Sequence, residues 1–149
     1  GKSAQAPAGK KGKKGKKPPL VMFYELQLDE AACASLRSLW EGHAEAAPKL
    51  KVQPSFHVTL LYLGGKSDEQ VAAKQPLLQG PGEVRRLRED LDWRQGEEVA
   101  FEVPALAWDG RIAAAEVSAL PPGLCANHVP HVTLALADAV APSLSNELL

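Results

Sequence analysis

The chain has 149 residues, 45% of them hydrophobic, and a formal net charge of −1, which suits one domain with one sizeable core. Its first 19 residues hold seven lysines and no acid, leaving ten basic against 18 acidic residues in Leu20–Leu149, a folded part at about −8. That sign excludes a surface that grips a long nucleic-acid backbone by releasing counterions, and fits a small or terminal phosphate better.

The opening run, residues 1–19, contains "APAGKKGKKGKKPP". It has no apolar period and reads as a disordered tether ahead of a domain over 20–149. Its lysines suit a nuclear address, an RNA or an anionic membrane surface as further destinations of a cytoplasmic protein. The chain starts at Gly1 without Met, as a fragment or processed product would. No apolar run is long enough for a membrane span or a signal peptide, so a soluble protein without stable membrane insertion is expected. Cys33 and Cys125 make no disulfide framework, and a reducing compartment is the default.

After two prolines, "PPLVMFYELQL" (18–28) reads as a strand. Asp29 can cap a helix over 30–40, with Ala32, Leu36, Leu39 and Trp40 on one face. A connection carrying His43 follows, and then a strand over Phe56–Leu63 that Gly64 and Gly65 stop. Ser67 with Gln70 forms a capping-box signal for a short helix, which Pro76 interrupts. A charged helix is predicted over 83–93. Residues 97–109 and 111–120 pair as a hairpin across Asp109–Gly110, a loop over 120–130 follows, and His131–Ala137 is the last strand. The order β-α-β-α-β-β-β favours an α+β fold over a doubly wound parallel sheet.

Two of those strands open alike, "HVTLLYLGG" from 57 and "HVTLALADA" from 131. Side chains at i and i+2 of a strand share a face. His57 therefore emerges with Thr59, and His131 with Thr133. The repeat recurs at 74 residues, about half the domain, which suggests two similar halves about a pseudo-twofold axis. Two such strands beside a groove present two imidazoles and two hydroxyls to one ligand. Phosphodiester hydrolysis needs a base for the water and an acid for the leaving oxygen, and histidine suits both roles near neutral pH. Threonine hydroxyls can hold the charge that grows on the non-bridging oxygens. No metal and no cofactor is required.

A zinc site built from Cys125, His128 and His131 is the competing reading. The three sit in a proline-flanked loop, where their spacing does not place them on one face. Tyr62 has the wrong parity to share the His57 face unless the strand bulges, and core packing is its other reading.

At the two motifs the sequence resembles the two-histidine (2H) phosphoesterase superfamily. The stretch "LPPGLCANHVPHVTLALADAVAPSLSNELL" is similar to the end of the catalytic domain of 2′,3′-cyclic-nucleotide 3′-phosphodiesterases and to the cyclic phosphodiesterase domain of fungal-type tRNA ligases. The resemblance implies a bilobal fold with two antiparallel sheets flanking a groove and helices outside. It implies His57 and His131 as the catalytic pair, Thr59 and Thr133 as the phosphate-binding hydroxyls, and Tyr62 with Pro142 as the clamp on a nucleobase. It further implies a monomeric hydrolase of 2′,3′-cyclic nucleotides or RNA 3′ ends giving 2′-phosphates, a place in tRNA repair, and an upstream kinase or ligase domain. Hydrolysis of a 2′–5′ phosphodiester and a catalytically silent RNA-end or nucleotide-binding module are the alternatives.

Overall fold

The computed structural model describes residues 2–5 and 21–149. Most of the lysine-rich stretch lies outside the described residues. The exception is Lys2–Gln5, which forms strand β1 and pairs antiparallel with β2 (Phe23–Leu28). The chain continues through α1 (Glu30–Glu41), β3 (Lys51–Val52), β4 (His57–Tyr62), α2 (Asp68–Lys74) and α3 (Pro81–Trp93). It ends with β5 (Glu102–Trp108), β6 (Ile112–Ser118), β7 (His131–Leu136) and the short α4 (Ser145–Leu148).

The helices start where local chemistry satisfies their free N–H groups. Asp29 accepts from the Ala32 N–H at 2.8 Å. Ser67 and Gln70 form the reciprocal capping box. Pro81 opens α3, two residues before the predicted start, behind Gly80 at φ 100°. At the β5–β6 turn, Asp109 Oδ1 accepts from the Arg111 and Ile112 N–H groups at 2.7 and 3.1 Å, which closes the predicted hairpin.

Among the described residues the strands form one seven-stranded sheet in the order β1-β2-β4-β7-β6-β5, with β3 on β7. The pairings are antiparallel, and with the helices they give the α+β class. Where two sheets were expected, the strands are connected, and the two wings meet at a single pair, Val58 opposite Val132. Beyond that pair each motif strand receives the segment that leads into the other motif. The Gln53 N–H donates to the Leu134 carbonyl at 2.8 Å, and the Ala126 N–H to the Leu60 carbonyl at 2.7 Å. The short strand β3, placed in a connection by sequence, is part of this exchange.

One face of the seam is core. Val58, Leu60, Val132 and Leu134 are fully buried and cluster with Leu36 and Trp40 of α1 and Val84, Leu87 and Leu91 of α3. The Tyr24 hydroxyl donates to Asp92 at 2.5 Å, tying β2 to α3. Arg88 donates to Asp68 through both terminal guanidinium nitrogens and ties α3 to α2. The opposite face of the seam is left for the site. No helix among the described residues is long and apolar enough to cross a membrane.

Candidate active site

Because Val58 faces Val132 across the seam, His57 and Thr59 flank that pair on β4 as His131 and Thr133 do on β7. The strands run antiparallel, so each histidine lies towards the other strand's threonine. With the valines in the core, the four polar side chains project to the opposite face. They line one cavity of about 550 Å³ together with Tyr62 and Pro142. The structure thus brings together the six residues that the resemblance implies for catalysis and base binding.

Tyr62 reaches the cavity through a bulge. In the β2–β4 ladder Tyr24 pairs with Leu61 but Glu25 with Thr59, so Leu60 is the extra residue. Leu60 and Leu61 are consequently both buried, and Tyr62 returns to the histidine face at 55% exposure. The same device occurs in β7, where Ala113 pairs with Ala135 but Ala114 with Thr133, leaving Leu134 as the extra residue. Both bulges fall on the leucine of His-Val-Thr-Leu. The Tyr62 ring lies against the backbone of Gly64, whose φ is 61° and where an added Cβ would sit 2.7 Å from Tyr62 Cε2. Only glycine suits both the space and the angle.

Each imidazole has a polar neighbour at Nδ1. His131 Nδ1 lies 3.0 Å from the Val129 carbonyl, which acts as acceptor and fixes the tautomer with the lone pair on Nε2. Burial pushes this ring below the ordinary histidine value. The carbonyl opposes that shift, and the nearby His57 adds to it. His57 Nδ1 lies 3.5 Å from a carboxylate oxygen of Glu25. Sequence reasoning missed Glu25. Its strand parity puts it with Gln27, but the sequence does not say that this pair faces the groove.

The other residues missed are polar. Gln75, Asn127 and Asn146 line the cavity, and the Asn127 amide donates to the Thr59 carbonyl at 3.2 Å. Ser145 is fully buried, with its Oγ 2.8 Å from Thr133 Oγ1. No lysine or arginine is among the described residues lining the cavity. A bound anion there meets imidazole, hydroxyl and amide groups.

Cys125, His128 and His131 do not assemble a site. Among the described residues no group of three or more His, Cys, Asp or Glu side chains could hold a metal ion. His128 is exposed in its loop. Cys125 points at the Thr59 carbonyl at 3.5 Å, and burial pushes its thiol up to about 11, against a backbone hydrogen bond at Asn127. His43 is exposed and rests on Trp108, with ring centroids 5.2 Å apart.

Residues 25–149 match the family described as the fungal tRNA ligase phosphodiesterase domain. No curated protein and no solved structure matches the chain. The match runs from Glu25 through both His-Val-Thr-Leu strands to the last residue. The chain therefore belongs to the fungal tRNA ligase phosphodiesterase domain family, a two-histidine family of cyclic phosphodiesterases.

Proposed function

We propose that the protein hydrolyses 2′,3′-cyclic phosphates of nucleotides or RNA 3′ ends to 2′-phosphates without a metal ion, through a catalytic unit over residues 20–149. The observation that carries this reading is the meeting of both His-x-Thr pairs in one cavity from adjacent antiparallel strands. His131, kept neutral with its Nε2 lone pair towards the cavity, takes a proton from the attacking water. The water oxygen bonds to phosphorus as the P–O3′ bond breaks, and His57 gives its proton to O3′. Thr59 and Thr133 donate to the non-bridging oxygens as charge builds on them. Tyr62 and Pro142 sandwich the base, which fixes the ring by stacking with little readout of base identity.

A cavity lined by no lysine or arginine among the described residues suits the single charge of a cyclic phosphodiester. The two wings act as two lobes around it. RNA repair after cleavage supplies such ends, and a kinase or ligase unit in the same polypeptide is a fitting neighbour for this monomeric domain. The lysine tail is its contact with RNA or a membrane surface.

The test compares 2′,3′-cyclic AMP with a 2′–5′-linked dinucleotide, each with and without EDTA. Turnover of the cyclic nucleotide alone, unchanged by EDTA, is the expected result. Preference for the dinucleotide would reassign the substrate, and binding without turnover would mark a silent module. Activity lost in EDTA and restored by Zn²⁺ would overturn the metal-free mechanism.

A further inference from the structure

Two polar residues are buried among the described ones, Glu25 at 8% exposure and Ser145 at 0%. Each touches one motif and supports a different member of it: Glu25 meets the histidine of the first, and Ser145 the threonine of the second. A buried carboxylate is costly unless it is paired and hydrogen-bonded. The partners of Glu25 are His57 Nδ1 at 3.5 Å and the Gln27 amide, whose Nε2 is 3.5 Å from the other carboxylate oxygen. Gln27 is exposed and pairs with His57 across the β2–β4 ladder. The arrangement runs from an exposed amide through a buried carboxylate to an imidazole at the cavity.

Building on the hydrolase reading above, we propose that Glu25 is a positioning residue that holds His57 by Nδ1, turning its Nε2 into the cavity as the proton donor to the leaving oxygen. A carboxylate beside Nδ1 favours the cationic form of the ring, which is the form an acid catalyst must start from. The second wing offers the contrast. The residue opposite Thr133 is Ala114, the place that Glu25 takes opposite Thr59. His131 is bonded instead to a neutral backbone carbonyl, as suits a base. Facing His57 are Glu25 and Gln27 from β2 and His131 and Thr133 from β7, with Tyr62 on its own strand. Glu116 stands opposite His131 on β6.

The experiment uses Glu25→Gln, which keeps shape and hydrogen bonding but removes the charge, and Glu25→Asp, which keeps the charge on a shorter arm. Both are read by steady-state kinetics on 2′,3′-cyclic AMP across pH and by ¹⁵N NMR titration of the histidine rings. For Glu25→Gln, kcat should fall about tenfold to a hundredfold with KM within about twofold, because an acid is impaired while binding is not. The alkaline limb of the rate profile and the His57 titration should both move to lower pH, while His131, which the charge on His57 depresses, should stay in place or move slightly up. Glu25→Asp should restore part of both. An unmoved His57 titration, or both rings moving down together, would overturn the assignment. If wild-type protein does not turn over the cyclic nucleotide but Glu25→Gln still moves His57 down without His131 following it, the substrate reading fails and the pairing stands.

Discussion

In the first wing the strand beside the motif places Glu25 opposite Thr59, and in the second wing Ala114 occupies that place opposite Thr133. The two motif strands share four residues, a bulge on the same leucine and one core valine pair. Their neighbours differ. The first wing sets a carboxylate beside its histidine, whereas in the second α4 contacts β6 and Ser145 reaches Thr133. Like strands thus receive unlike partners, and on the proposed mechanism those partners suit the two imidazoles to different roles. On that mechanism the like strands supply the two-sided geometry that in-line displacement needs, and the unlike partners give the reaction its direction.

Breaking either half is the harshest challenge to this comparison. His57→Ala and His131→Ala should each lower kcat about 10²–10⁴-fold, since one acid or base is lost in each. Folding should persist in both, as checked by circular dichroism, because neither ring belongs to the core cluster. Near-normal turnover by either variant would mean that one half is dispensable.

The comparison is sharpened by the aromatic wall that one wing has and the other lacks. Tyr62 occupies the end of the first motif strand, and Leu136 the corresponding end of the second. Tyr62→Ala should raise KM for 2′,3′-cyclic AMP about tenfold with little change in kcat, the scale of one lost base stack. Gly64→Ala should act in the same direction, since its Cβ would meet the Tyr62 ring and its φ of 61° disfavours a side chain.

Ser145→Ala probes the second wing's own support. It removes the partner of Thr133 Oγ1. The loss should lower kcat/KM for 2′,3′-cyclic AMP about fivefold to tenfold and destabilise the fold by about 1–3 kcal/mol, read by urea melts. The smallest effect is one of position on the pH axis. Burial holds His131 below the ordinary histidine value, and the base works only when deprotonated. As pH falls through the His131 value the rate is lost, so the acid limb of kcat/KM should lie below about 6.5, the ordinary value. An acid limb at or above that value would contradict the assigned base.

The elements most legible in the sequence are those whose signals are local. Asp29, the Ser67–Gln70 box and the Asp109 turn act within a few residues, and the structure uses each as read. The His-x-Thr parity was equally legible, because period two holds along any strand. What needs the assembled chain was not. β3 lacks the alternation and length of a strand signal, and exists because β7 has a free edge where β4 diverges. β1 pairs through its backbone, which side-chain patterning does not report. The sequence could state what Tyr62 requires, a bulge, but the bulge is set by pairing with β2. Glu25 and Ser145 gave no signal of their own, since their roles come from partners 32 and 12 residues away.

The claim that unlike partners impose a direction on like strands meets its most direct test in the product of 2′,3′-cyclic AMP. Interchangeable wings would accept the ring in two flipped orientations and release both O2′ and O3′. Unlike wings hold one orientation. Quantitative ³¹P NMR of the completed reaction should show 2′-AMP as the sole product, with His57 having protonated O3′. A mixture of 2′-AMP and 3′-AMP would contradict the asymmetry, and 3′-AMP alone would reverse the direction assigned here.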